Sequence, residues 1–117
     1  MSEQGDTILS EMANHFKAKK VKTTTVPEWG DVTIYANPVS VMDAQRIAGF
    51  QDRPTSQIGE AAIDTLILLA RNKDGKKLFT KAHKPKMLRS SDFSILARVV
   101  AALVEDIGTE VDDLQSD

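Results

Sequence analysis

The stretch 58–70, IGEAAIDTLILLA, constrains the fold more than any other part of the chain. Wound as a helix at about 100° per residue, it is apolar nearly all the way round. Ile58, Ala62, Thr65 and Leu69 share one side, and Ala61 and Leu68 widen it. Leu66, Ala70, Ile63 and Ile67 continue round the cylinder, so only Gln57, Glu60, Asp64 and Arg71 form a polar strip. A helix of this kind must be covered over most of its circumference. A second such helix lies near the C-terminus: Phe93, Leu96, Val100, Leu103 and Ile107 make one stripe, and Ile95 and Val99 extend it. A chain of 117 residues has room for one modest core. The cover is therefore either the chain's own elements, with the helix central to the fold, or another subunit. On the second reading Ile63, Ile67, Ile95 and Val99 are candidate partner or self-association residues.

The remaining elements follow from local patterns. Ile8, Leu9, Met12 and Phe16 recur at helical spacing, which predicts an amphipathic helix from Thr7 to Ala18 with Thr7 as its cap. Val21 to Val26 is rich in Val and Thr and reads as a strand. Pro27 interrupts it, Trp29-Gly30-Asp31 makes a turn, and alternation from Asp31 to Ala36 makes a second strand. Such a hairpin needs helices packed on it to be stable, and Trp29 is the candidate anchor or contact residue. Asn37-Pro38 ends the strand, and Ser40 and Asp43 resemble a capping box for a helix from Ser40 to Phe50. Ser56 is expected to cap the long helix through Asn72. Lys73-Asp74-Gly75-Lys76 is a turn, and Lys77 to Phe79 a short extended piece. Pro85 leaves room for at most one helical turn between Thr80 and Arg89. Ser91 is expected to cap the last helix through Ile107, with Gly108 as its C-terminal glycine.

The expected fold is thus α+β and mainly α-helical: an N-terminal helix and a β-hairpin packed on about three further helices. We expect a single domain over residues 1–117, with an ordered core from 7 to 108 and flexible termini at 1–6 and 109–117.

Catalytic chemistry finds no support in the residues. Cysteine is absent, which excludes disulfides and thiolate sites. His15 and His83 lie far apart without metal-ligand spacing, so no metal and no cofactor is expected. Glu60 and Asp64 share a helical face, yet they read as the wet strip of a buried helix rather than an acid–base pair. The Gly75-Lys76 pair fails as a phosphate loop, because Ala70 and Lys77 stand where Gly and Ser or Thr are required. The chain therefore reads as a non-enzymatic binding protein. No apolar run is long enough to span a bilayer, and the N-terminus lacks the order of a signal peptide, so a cytoplasmic location is expected.

Charge is arranged in blocks behind a net charge of -2. Lys17, Lys19, Lys20 and Lys22 form one basic cluster; Lys73, Lys76, Lys77, Lys81, Lys84, Lys86 and Arg89 form another. The C-terminal segment carries Glu105, Asp106, Glu110, Asp112, Asp113 and Asp117. Blocks of this kind are solvated faces or complementary patches between copies. The basic loop 73–89 raises nucleic-acid binding as an alternative. Against it stand one aromatic in that loop, Phe79, and a whole-chain pI near 5.7.

One segment is distinctive as a string: Val26-Pro27-Glu28-Trp29-Gly30-Asp31-Val32-Thr33-Ile34-Tyr35-Ala36. With Lys73-Asp74-Gly75, Leu78-Phe79-Thr80 and the helix from Ser91 to Ile107 following in order, it resembles the tail assembly chaperones of long-tailed, siphovirus-type bacteriophages. The resemblance covers roughly residues 21 to 107. It departs at Tyr35-Ala36-Asn37-Pro38, where the family often has an Arg and a Leu-Thr pair, and at basic Lys81, Lys84 and Lys86, where the family is usually acidic. The resemblance implies a non-enzymatic assembly factor that binds tape-measure and tail tube proteins during tail morphogenesis. It also implies self-association, a host bacterial cytoplasmic location, absence from the mature virion, and identity with the shorter of two frameshift-related forms. Another small phage morphogenesis protein, a tail completion or head–tail connector subunit, is the first alternative, and a nucleic-acid-binding module the second.

Overall fold

The computed structural model describes residues 3–104. Within them the fold is mainly α-helical α+β: helices α1 (Glu3–Ala18), α2 (Val41–Gln51), α3 (Ile58–Leu69), α4 (Lys84–Ser90) and α5 (Phe93–Leu103), and strands β1 (Lys22–Val26) and β2 (Val32–Ala36). The strands form an antiparallel hairpin in which Lys22 faces Ala36, Thr24 faces Ile34 and Val26 faces Val32. Because side chains alternate across a strand, Val26, Ile34 and Ala36 turn inward together and are buried. Thr25 and Thr33 pair through their hydroxyls at 3.2 Å on the other face.

The loop between the strands is built by its own residues. Pro27–Trp29 form a 3-10 turn, and the Gly30 amide donates to the Pro27 carbonyl at 3.2 Å. Gly30 (φ 78°) and Asp31 (φ 58°) are both left-handed, the region a glycine or a short polar residue enters at least cost. Trp29 is half-buried against the core, and Glu28 forms a two-pronged ion pair with Arg98 of α5, at 2.5 and 3.1 Å. At the other end of the hairpin Lys22 Nζ donates to the Leu103 carbonyl at 3.1 Å. The hairpin therefore lies along α5, tied at both ends.

The α3 helix is shorter than its sequence pattern predicts. It ends at Leu69 because the next residues pair as an extended strip: Arg71 and Tyr35 exchange backbone hydrogen bonds of 2.7 and 2.9 Å, and Arg71 bridges onward to Lys77. The turn within this strip is the expected one. Asn72 Oδ1 accepts from the Asp74 and Lys76 amides, and Gly75 sits at φ 82°.

Local helix signals depart from expectation at four places, three of them caps. Thr7 does not cap α1, which starts at Glu3; its hydroxyl donates instead to the Glu3 carbonyl at 3.0 Å. Ser56 lies in a 3-10 turn (Thr55–Gln57) that precedes α3 without a side-chain cap. Asp92 rather than Ser91 caps α5, accepting from the Ser94 amide at 2.9 Å. Residues 84–90 form about two helical turns rather than one, because Pro85 falls in the first turn, where its missing N–H is not needed. Ser40 does cap α2, accepting from the Asp43 amide at 3.1 Å. The last helix ends at Leu103, with Val104 as its C-cap, short of the expected Ile107; Ile107, Gly108 and the acidic segment lie outside the described residues.

The core gathers Val26 and Ile34 from the hairpin, Ile47 from α2, Ile63, Leu66 and Ile67 from α3, and Leu96, Val99 and Leu103 from α5. Thr65 is buried among them, with its hydroxyl donating to the Ala61 carbonyl at 2.8 Å.

Candidate protein-binding surface

The structure buries residues on both sides of α3: Ala61, Thr65 and Leu69 on one, Ile63, Leu66 and Ile67 on the other. Ile63 and Ile67, candidates for an intersubunit face, are buried within this chain at 2% and 8% exposure. Ile58 and Ala62, expected to face the core, line an open groove, and Ile58 is 56% exposed. A helix apolar nearly all round has no unique inward side in its sequence, so only the placement of its neighbours decides. On α5, Val99 is likewise buried and Ile95 is half-buried against the core. Of the five candidate residues, Trp29 and Ile95 thus remain partly accessible, and none is among the residues lining the groove.

The groove runs between α3 and α5 and holds about 520 Å³. Its sides carry Ala61, Ala62, Ala97 and Ala101, and Ile58 and Phe93 stand half-exposed beside them. Two contacts orient it. Lys22 reaches the Leu103 carbonyl and Tyr35 pairs with Arg71, while Lys22 and Ala36 face each other across the hairpin. Both helices therefore finish near the open end of the hairpin. Val104 marks that end of the groove, and Ile58 and Phe93 mark the other.

Arg53 lies at the Ile58 end. Its Nη2 pairs with Asp64 Oδ2 at 2.8 Å, and its Nη1 approaches Glu60 Oε2 only to 3.8 Å. That Nη1 is buried without a hydrogen-bond partner. Asp64 also receives Lys84 Nζ at 3.0 Å. The Glu60–Asp64 strip thus anchors the α2–α3 loop and the start of α4 by charge. Arg53 carried no recognisable signal in the sequence.

The second apolar surface is α1. None of its residues is buried, and Ile8, Leu9, Met12 and Phe16 line one side of it, with Met12 61% exposed. Beside Phe16 a shallow hollow reaches Val39 and Val41. The spacing of this stripe is plain in the sequence; that the described residues leave it uncovered is not.

Hydrogen bonding from the Arg98 guanidinium lowers the Glu28 carboxyl below its ordinary pKa, and bonds from Ser94 lower that of Asp92. Both are exposed structural carboxylates. Among the described residues no cluster of three metal-ligating side chains occurs, and no helix is long and apolar enough to cross a membrane. In the basic loop Lys84 is engaged with Asp64, and Phe79 packs partly on the core, edge-on to His83. His15 and His83 are both exposed, and His83 Nδ1 accepts from the Thr80 amide at 3.0 Å.

The chain matches no protein-family model and no curated protein sequence. Among solved structures it shows a weak likeness to the tail assembly chaperone of bacteriophage HK97. The identity is 17%, the match covers 71% of this chain and 84% of that one, and the TM-score is 0.46.

Proposed function

We infer that this chain is a protein-binding assembly factor, a phage tail assembly chaperone that holds tape-measure and tail tube proteins in the host cytoplasm until the tail is built. The observation that carries the reading is the open groove between α3 and α5. It is apolar, its alanines let a backbone approach closely, and Ile58 and Phe93 stand ready to be covered. A groove of this shape suits the apolar face of an amphipathic helix, the kind of segment a long helical client exposes before it assembles. The ordered sequence resemblance from Val26 to Ile107 supplies the phage context. In this reading the Val26–Asp31 turn is a structural device: Trp29 packs on the core and Glu28 locks the turn to Arg98.

The test is co-expression with the tape-measure protein of the same genome. Its soluble yield should rise with the wild-type chain and should not with Phe93→Glu, which places a charge at the groove without entering the core. Equal yield with and without the wild-type chain, and no complex on gel filtration, would defeat the reading.

A nucleic-acid role gains nothing from the structure. Phe79 is committed to packing rather than to a stacking platform, and Lys84 to an ion pair.

A further inference from the structure

We propose that the hollow between residues 78–80 and helix α4 docks an extended acidic segment of a partner protein, with one bulky apolar side chain of that segment seated in it. This hollow shares no lining residue with the α3/α5 groove, so it is a second contact surface on the chain.

The floor is apolar and already fixed. Leu78, Phe79 and Met87 line it, and all three also pack against the core. The Leu78 amide donates to the Ala70 carbonyl at 3.2 Å, which ties this stretch to the end of α3. Thr80 and His83 hold the start of the helical turn: the Thr80 amide donates to His83 Nδ1 at 3.0 Å, and the His83 amide donates to the Thr80 carbonyl at 3.0 Å. With Nδ1 accepting, the imidazole proton sits on Nε2, a donor on a residue that lines the hollow. A site held this way loses little freedom when it is filled.

Size selects the shape of the occupant. The hollow holds about 290 Å³. One turn of helix, about 10–12 Å across and 5.4 Å long, fills roughly 500 Å³. The hollow therefore takes a side chain from an extended segment and not a helix.

The rim selects the charge. From Lys76 to Arg89 the chain carries six cations and no carboxylate. Lys84 is held by Asp64. Among the described residues the other five, Lys76, Lys77, Lys81, Lys86 and Arg89, are exposed and their side chains make no ion pair or hydrogen bond. Lys86 lines the hollow, and Arg89 stands about one turn farther along α4. Lys77 and Lys81 flank Leu78–Thr80 in the chain. Asp74 precedes this stretch, exposed in the Asn72–Gly75 turn. Asp92 follows it and is turned to α5, accepting from the Ser94 amide at 2.9 Å and the Ser94 hydroxyl at 2.7 Å. A cationic rim around an apolar floor complements a segment with an apolar residue among its carboxylates.

The same rim attracts nucleic acid, and the floor decides between the two. Phe79 packs on the core and lies edge-on to His83, so its ring is held between them and is not a stacking platform. An apolar side chain set among Leu78, Phe79 and Met87 removes that floor from water, and a phosphate backbone does not.

Fluorescence anisotropy on the full chain, at about 0.15 M salt, tests this. The probe is a dye-labelled peptide with one central Leu between two runs of Glu. Its controls are the same peptide with Ser for Leu, the same with Lys for Glu, and a single-stranded oligonucleotide of equal charge. The Leu peptide should bind saturably, the Ser peptide about tenfold or more weaker, and the Lys peptide not at all. Lys86→Glu with Arg89→Glu should weaken the Leu peptide by about tenfold or more with circular dichroism unchanged, since both residues are exposed. If that reversal disturbs folding, Lys81→Gln with Lys86→Gln replaces it and should also weaken binding. Phe93→Glu, at the α3/α5 groove, should leave it unchanged.

Absence of binding by the Leu peptide overturns the proposal. So does equal affinity for the Leu and Ser peptides, or tighter binding of the oligonucleotide. Loss of binding in Phe93→Glu moves the contact to the α3/α5 groove. Binding that appears only in Glu110→Lys with Asp112→Lys and Asp113→Lys assigns the hollow to the chain's own acidic segment. A changed sedimenting mass of the Lys86→Glu, Arg89→Glu chain without peptide assigns it to a second copy. Each of these three also overturns it. All are read without the tape-measure protein, so this surface and the chaperone reading can fail separately.

Discussion

Leu66→Ala is the sharpest test of where the stability of this chain resides. Leu66 sits in the middle of α3 at 1% exposure and belongs to the cluster that joins hairpin, α2, α3 and α5. Truncating it removes its transfer free energy and leaves a cavity that a close-packed interior only partly fills. Buried Leu→Ala changes cost about 2–5 kcal/mol, against a total stability on the order of 5–15 kcal/mol for a domain. At about 4 °C per kcal/mol for a domain near 100 residues, the midpoint of thermal unfolding should fall by roughly 8–20 °C. Urea unfolding followed by far-ultraviolet circular dichroism should show a lower midpoint with an unchanged slope. The control is Met12→Ala on α1, a helix with no buried residue, which should stay within about 0.5 kcal/mol of wild type. Both are measured at a dilution where self-association adds no stability by mass action. A Leu66→Ala loss below about 1 kcal/mol, or a Met12→Ala loss of equal size, would show that the core and the uncovered helix are not divided as described.

Three further outcomes follow from other parts of the fold. Ile63→Glu combined with Ile67→Glu should abolish the helical circular dichroism signal, because both carboxylates would be buried without partners; a folded double variant of reduced mass would restore the intersubunit reading of that face. Gly30→Ala should cost about 1–2 kcal/mol in urea unfolding, since Gly30 is at φ 78° and open space around it leaves conformational strain as the cause; no measurable loss would contradict the turn geometry. Glu28 has its folded pKa lowered by Arg98, so its contribution is present above the ordinary carboxylate pKa of 4.5 and is lost as pH falls through the lowered value. Glu28→Gln should therefore lower the melting temperature at neutral pH and leave it nearly unchanged in strong acid, and the same difference at both pH values would refute the pairing.

Much of this fold is legible in the residues themselves. The Val- and Thr-rich strands, the Pro27–Asp31 turn, the Asn72–Gly75 turn and the Ser40 cap are local devices, each decided by a few neighbouring side chains and backbone angles. The amphipathic spacing of Ile8, Leu9, Met12 and Phe16 is local in the same sense. The ends of α3 and α5 were less legible. Pairing of Arg71 with Tyr35, distant in sequence, draws the backbone out of the helix, and local propensity holds no record of that bond.

What the sequence determined by itself was the existence of the elements and the excess of apolar surface on them. Which surface is core and which is left open was decided only by the tertiary structure. Ile63 and Ile67 face inward and Ile58 and Ala62 line the groove, although all four lie on one helix with apolar residues nearly all round it. Hydrophobic burial is non-directional and scales with area removed from water, so either side of α3 could have been covered at similar gain. The hairpin, clamped along α5 by Glu28–Arg98 at one end and Lys22–Leu103 at the other, fixes the position of β2, and the Tyr35–Arg71 pairing then fixes the end of α3 against it. Hydrogen bonds and ion pairs have direction where apolar contact does not, and these few directional contacts fix which apolar residues of α3 are left at the groove.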